Sequence, residues 1–234
     1  NNIGLTLFFG FYVVACDGAD PIDTADEDID SGDVEDTGEP PDPATVELAG
    51  ACALEDRFGG FVVETYDNYS IVDGSVADGV VPISVLEEVG REGDCKLMRR
   101  NNPFCDPPCG PDETCDFEQN CILYPLNQDI GTVTVTGLSD DVVMEPLQPG
   151  NSYFNTTLPH PAFEPESLVT LTTTGGAYDP VRLHAVGVET LTILDETWVV
   201  DSGTDLTVNW TPPTVDIVRS EIALRFNIDQ HGST

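Results

Sequence analysis

Hydrophobic and polar positions alternate along the second half of the chain. Val133 and Val135 share one face of the segment 132–136, and a period of two recurs in the segments that follow. Those segments are Ser167–Thr174, Val181–Ala185, Leu191–Leu194, Leu206–Trp210 and Ile222–Ile228. Turn residues separate them at intervals of about ten residues, a spacing typical of β-sandwiches. The pattern predicts an all-β protein with a sandwich at 128–234.

The region 44–98 also predicts β-structure, but in shorter pieces. Phe61–Tyr66, Ile71–Val72 and Val80–Val85 are rich in β-branched and aromatic residues, and Asp-Gly pairs lie between them. Asp-Gly is a strong turn signal. We therefore predict a separate small β region that precedes the sandwich.

The start of the chain has a different pattern, because Ile3–Val14 is almost wholly apolar. About a dozen residues are too few to span a bilayer, which needs roughly 20, but they match the apolar core of a signal peptide. The run ends at Ala15-Cys16, and an acidic stretch begins at once with Asp17. A buried strand or helix with a core cysteine at position 16 is the alternative interpretation.

The order of apolar run, Ala15 and Cys16 resembles the lipobox of bacterial lipoproteins. The resemblance implies that residues 1–15 are a signal peptide and that Cys16 is acylated and becomes the mature N-terminus. Since the chain begins with Asn1 and its first basic residue is Arg57, we expect the leader to lack its first residues. The end at Thr234, close behind a strong strand pattern, leads to the same expectation for the C-terminus.

Acidic residues dominate the chain, with 43 Asp and Glu against 8 Lys and Arg and a net charge of -35. This balance argues against nucleic-acid binding, which requires basic residues to neutralise phosphates. Of the acids, 12 lie between Asp17 and Asp42, where apolar residues are scarce. Together with Cys16 this stretch, 16–43, predicts a lipidated cysteine followed by a disordered tether.

A calcium loop within the tether is a competing interpretation, because Asp26, Asp28 and Asp30 occupy alternate positions. The EF-hand loop, however, requires Gly at its sixth position and Glu at its twelfth. Counted from Asp26, Ser31 and Thr37 stand there. The sequence therefore predicts no specific metal site, although a surface this acidic suits weak, diffuse calcium binding.

Six cysteines remain once Cys16 is set aside, and an even number in an exported chain indicates three disulfides. Six cysteines allow 15 pairings, among which we predict Cys52–Cys95, Cys105–Cys115 and Cys109–Cys121. The first pair would join the ends of the small β region, and the other two interleave within a segment rich in Pro and Gly. A zinc site is the alternative, but the cysteine gaps exceed the usual spacing and no histidine is near.

The spacing from Cys109 to Cys121 resembles the small loops of EGF-like and knottin-type modules, and 95–127 is accordingly predicted to be a disulfide-rich segment. The segment 206–213 resembles the Trp-bearing strand of fibronectin type III domains, which supports the sandwich. By its alternation with Val208, Trp210 is predicted to be a core residue, whereas Trp198 suits either a core or a sugar-binding surface.

Motifs for catalysis are absent from the sequence: it contains no nucleophile elbow, phosphate loop, dinucleotide fingerprint or His-Glu-x-x-His. His160, His184 and His231 are scattered. We therefore predict no enzyme and no catalytic, cofactor-binding or metal-binding residue.

The overall layout resembles uncharacterised envelope lipoproteins of myxobacteria and related bacteria. The resemblance implies export and a lipid anchor in the inner or outer membrane of the bacterial cell envelope. The partners expected are membrane lipid, through acylated Cys16, and an envelope glycan or protein. We predict a non-catalytic structural or adhesive protein, with a carbohydrate- or calcium-binding surface module as the alternative.

Overall fold

The computed structural model describes residues 5–6, 10–16, 56–66, 68–93, 95–100, 102–194, 203–214 and 225–226. Their regular structure is β-strand, apart from short 3-10 segments such as Pro82–Ser84, so the predicted all-β class is confirmed. The predicted tether lies outside these residues. Within the part of the chain that is described, no helix has the length and apolar character needed to cross a membrane.

Sixteen strands follow one another along the described chain. They are β1 (Leu5–Thr6), β2 (Gly10–Cys16), β3 (Arg57–Thr65), β4 (Ser70–Val76), β5 (Leu86–Glu92), β6 (Cys95–Arg100), β7 (Glu113–Cys115), β8 (Cys121–Leu123), β9 (Val133–Thr136), β10 (Val142–Met144), β11 (Tyr153–Asn155), β12 (Leu168–Thr173), β13 (Arg182–Val186), β14 (Thr192–Ile193), β15 (Trp210–Thr211) and β16 (Arg225–Phe226).

Two four-stranded antiparallel sheets form a sandwich. The first has the order β11-β4-β3-β2 and the second the order β10-β9-β12-β13. Buried side chains of both sheets meet in one hydrophobic core, which includes Phe61, Val63 and Val72 from the first sheet and Val135 and Val169 from the second. The remaining strands pair only as two-stranded units.

The period of two explains why the central strands form where they do. In β9, Val133 and Val135 are fully buried while Thr134 and Thr136 between them are partly exposed. The same alternation continues in β12, which pairs with β9 in the register Leu171↔Val135. The core-facing positions are thus Val133 and Val135 in β9 and Val169, Leu171 and Thr173 in β12, and the residues between them face the opposite side of the sheet. The alternation predicted for these segments is confirmed.

Gly137 directly follows strand β9 and lies in the left-handed region with φ of 81°. A Cβ atom at this position would collide with the carbonyl oxygen of Leu168 on β12. Glycine is therefore required both by the backbone conformation and by the close approach of the neighbouring strand.

The predicted division into a small β region at 44–98 and a sandwich at 128–234 is wrong where the sheets are concerned. Strands β3 and β4 form the centre of the first sheet, and β11, from the second half of the chain, pairs with β4 in the register Tyr153↔Gly74. The cause is the apolar face of β3 and β4, which packs into the one hydrophobic core that both sheets share.

Two other predicted strands differ from the structure. The segment Val80–Val85 contains the 3-10 turn Pro82–Ser84 instead of a strand, because Pro82 has no N–H to donate to a ladder. At the C-terminal end, β14 and β15 pair with each other outside the sandwich, in the register Ile193↔Trp210. Trp210 is consequently exposed over 40% of its surface and is not the core residue predicted.

Candidate functional site

Cys16 is the residue on which the predicted location depends, and it ends strand β2. This strand pairs with β3, with Cys16 opposite Arg57 and an irregularity in register between Ala15 and Cys16. With residues 1–15 present, Gly10–Cys16 thus has the strand conformation of the alternative interpretation. Acylation concerns a processed chain that begins at Cys16, and it stays a prediction.

The disulfide-rich segment contains the other predicted site residues, the cysteines of the disulfides, apart from Cys52. Cys105 is bonded to Cys115 and Cys109 to Cys121, with Cα–Cα distances of 5.6 and 5.5 Å. Both predicted pairings are confirmed. Strands β7 and β8 form a short hairpin in which Cys115 lies opposite Cys121. Each of these paired residues belongs to one of the two disulfides.

The third predicted pairing, Cys52–Cys95, is wrong as far as Cys95 is concerned. Cys95 is an exposed free cysteine at the start of β6, and Cys52 lies outside the described residues. Strands β5 and β6 form a hairpin of their own, with Cys95 opposite Glu92. Backbone pairing therefore closes this hairpin and does not require a disulfide at its end.

Asp116 organises the turn between β7 and β8. Its Oδ1 accepts hydrogen bonds from the backbone N–H groups of Glu118 and Asn120 at 2.9 and 2.8 Å, and its Oδ2 accepts one from the Asn120 side chain at 3.3 Å. Donation by the backbone of Asn120 is the main cause that lowers the pKa of Asp116 below its ordinary value. The carboxylate is thus a structural acceptor within the turn.

The zinc interpretation can be tested against the sulfur atoms. The Sγ atoms of Cys105, Cys109 and Cys121 lie within 4.8 Å of one another. Zinc binds thiolates, however, and each of these sulfurs is already part of a disulfide. Among the described residues no other group of His, Cys, Asp or Glu is close enough to hold a metal ion, and Asp26, Asp28 and Asp30 lie outside them.

The disulfide-rich segment is fixed to the sandwich at the end of β4. Asp78 accepts hydrogen bonds from the Leu126 backbone at 2.8 Å and from the Gln128 side chain at 3.1 Å. The Gln128 backbone N–H in turn donates to the Val76 carbonyl at 2.7 Å. This connection holds the segment in a defined position on the sandwich.

An apolar surface lies at the junction of the two parts. Leu123, Tyr124 and Leu126 are exposed over 77%, 45% and 65% of their surfaces. They line a shallow groove of about 360 Å³ together with Val80 and Ile122. Adjacent exposed apolar residues of this kind typically mark an interaction surface. We call these three residues the Leu-Tyr-Leu patch.

Sequence reasoning missed the Leu-Tyr-Leu patch, although its signal was present. The run 122–126 is apolar apart from the hydroxyl of Tyr124 and directly follows the last cysteine. A disulfide-held segment has too small a core to bury such a run, and this one leaves it at the surface. Phe104 and Phe117 of the same segment are exposed as well.

Two of the three histidines are described, and each bonds to a hydroxyl. Nδ1 of His160 lies 3.0 Å from Oγ of Ser70, and Nδ1 of His184 lies 2.9 Å from Oγ1 of Thr170. Ser70 is only 1% exposed, so its hydroxyl is inaccessible to a substrate. These contacts connect strands and loops of the sandwich. His231 and Trp198 lie outside the described residues.

No protein-family model matches the chain, and neither a curated protein nor a solved structure shows significant similarity to it. The arguments that follow therefore rest on the residues and geometry described above.

Proposed function

We propose that this chain is a lipid-anchored, non-catalytic structural or adhesive protein of the bacterial cell envelope. The observation that carries the proposal is the apolar run that ends at Ala15-Cys16 and is followed at once by an acidic stretch. Acylated Cys16 holds the protein to a membrane. The acidic stretch extends from that membrane by repulsion between its like charges and presents the sandwich at a distance.

The Leu-Tyr-Leu patch supports an adhesive role. It lies on a segment stabilised by two disulfides, a common device of secreted domains. Its aromatic and aliphatic side chains provide the apolar contact area that protein partners bury. The patch thus offers a contact for an envelope protein.

The N-terminus of the protein purified from membranes of its own bacterium tests this proposal. Mass spectrometry is expected to show a chain that begins at an acylated Cys16, and detergent phase separation is expected to place it in the detergent-rich phase. Cys16→Ser should move the protein to the aqueous phase because no thiol remains for the lipid. Cys95→Ser, which changes another described cysteine outside both disulfides, serves as the matched control and should leave partitioning unchanged. A native chain that retains residues 1–15 contradicts the proposal.

A carbohydrate- or calcium-binding surface module is the second candidate, and the exposure of Trp210 favours its carbohydrate form. An exposed indole ring provides an apolar face on which a sugar ring stacks. A glycan array with the wild type and Trp210→Ala tests it, since specific binding should disappear in the variant. Calcium calorimetry is expected to show only a non-saturating millimolar response from diffuse screening.

A further inference from the structure

The edge of the first sheet is formed by a strand that the proposed processing removes. Strand β2 pairs with β3 at seven positions, from Gly10 opposite Glu64 to Cys16 opposite Arg57. Cleavage before Cys16 takes away residues 10–15, which supply six of those seven positions. The backbone N–H and C=O groups of β3 that face β2 then lose their partners.

From this geometry we infer that the edge of β3 is a docking site for an extended strand of a partner polypeptide. The inference rests on the proposed function, because only a processed chain vacates the edge. The partner strand adds antiparallel to β3, in the position that β2 occupies in the full chain. Its main-chain hydrogen bonds supply affinity and its side chains supply specificity, as in other cases of strand addition.

Strand β3 has few of the features by which proteins protect an open edge. It has nine residues and contains no proline or lysine; its basic residue Arg57 and the irregular register lie at its first position, opposite Cys16. The strand directly borders the core through Phe61 and Val63, which are 4% and 1% exposed. Edge strands are usually short, bent or charged because an open ladder recruits other chains. The acidic group on β3, Glu64, accepts a hydrogen bond from the Tyr66 hydroxyl at 2.8 Å, so its carboxylate already has a donor within this chain.

The chemistry of the partner strand follows from what occupies the edge and from the charge around it. The segment 10–15 contains glycine, aromatic, β-branched and alanine residues, and it has no charged residue. The rest of the chain carries 43 acidic residues and 8 basic ones. An acidic strand is repelled by this surface. The partner strand is thus apolar and β-branched, free of carboxylates, and neutral or basic at its flanks.

A peptide of residues 10–15 flanked by lysines tests the docking site on the processed protein, purified from membranes in detergent. We expect saturable binding by fluorescence anisotropy, with slower hydrogen exchange in β3 and unchanged exchange in β9. The matched control is the same peptide with Val13→Pro, which removes a backbone N–H at the position opposite Phe61. Its affinity should be at least tenfold lower.

The outcomes separate this inference from the proposed function. A chain that begins at Cys16 but leaves both peptides unbound, or binds them equally, overturns the docking site and leaves the lipid anchor standing. Protection, before any peptide is added, of the β3 amides that face the β2 position also overturns it, since a second copy or the chain's own C-terminal segment then fills the edge. The β3 amides that bond to β4 stay protected in either case. A chain that retains residues 1–15 contradicts the proposed function itself, and with it the vacated edge.

Discussion

Replacement of Tyr153 by Phe should destabilise the sandwich more than its single lost oxygen atom suggests. Tyr153 lies in β11 of the first sheet and is completely buried. Its hydroxyl donates to the Gly131 carbonyl at 2.9 Å and accepts from the Ile130 backbone N–H at 3.1 Å, just before β9 of the second sheet begins. One hydroxyl thus joins the two sheets.

The expected magnitude follows from what the variant leaves behind. The phenyl ring stays, with its packing against Phe61 at a centroid distance of 5.6 Å, so the hydrophobic contribution is nearly unchanged. The buried N–H of Ile130 loses its acceptor, and an unsatisfied buried donor costs about 1–3 kcal/mol. Guanidinium unfolding at pH 7 with the disulfides intact measures the difference. The exposed control Tyr124→Phe should change the free energy of unfolding by less than about 0.5 kcal/mol.

The difference in the free energy of unfolding between wild type and Tyr153→Phe should also change at alkaline pH. Burial raises the pKa of Tyr153 above its ordinary value, so the phenol ionises more readily in the unfolded chain than in the folded one. Its contribution to stability is complete below the unfolded pKa of about 10 and is lost as the pH rises through the folded pKa. The gap between wild type and Tyr153→Phe should therefore narrow above about pH 10. A constant gap from pH 8 to 11, or a loss no larger than that of Tyr124→Phe, refutes this reasoning.

Three further outcomes are expected. Gly137→Ala should lower the free energy of unfolding by about 1–3 kcal/mol, because φ at this position suits glycine and the new Cβ meets a backbone oxygen. Gly150→Ala is the control, since a Cβ there has open space. Equal unfolding midpoints of the two variants contradict this prediction. Asp116→Ala should speed hydrogen exchange at the amides of residues 118 and 120, unlike Asp112→Ala. In the wild type, the protection of these two amides is complete above the ordinary Asp pKa. It should be lost as the pH falls through the lowered pKa of Asp116. Each of the two disulfides should stabilise the protein by about 2–4 kcal/mol. Their reduction should remove hydrogen-exchange protection from residues 102–121 but not from β12. Unchanged protection of 102–121 would show that the disulfides do not hold this segment.

Sequence patterns predicted strands well where one face of the strand is buried. Val133 and Val135 alternate with threonine, and burial of one face is the property that such alternation reports. The same logic failed at Trp210, whose alternation with Val208 is local and says nothing about which strand lies opposite. Trp210 pairs with Ile193 in a two-stranded unit outside the sandwich, and the ring stays at the surface.

Pairings distant in sequence could not be predicted because no local pattern encodes them. Tyr153 lies opposite Gly74, and nothing near either residue indicates the other. The disulfides show where local constraints suffice. Four cysteines within 17 residues leave few pairings without tight turns, and the interleaved one was predicted correctly. For Cys95 the prediction relied on an even count and on its position at the end of the small β region, and neither of these brings a second cysteine to it.

The segment 10–16 shows why sequence alone did not decide between a leader and a strand. Both require a short run of apolar, β-branched and aromatic residues without charge, since a membrane and a protein core exclude water alike. With residues 10–16 present, this run pairs with β3 at seven positions and forms the edge of the first sheet among the described strands. The difference between the two roles therefore lies in processing and not in the folding preference of the residues. If the proposed cleavage precedes folding, the main-chain hydrogen bonds that β2 makes to β3 become available to a strand from another polypeptide.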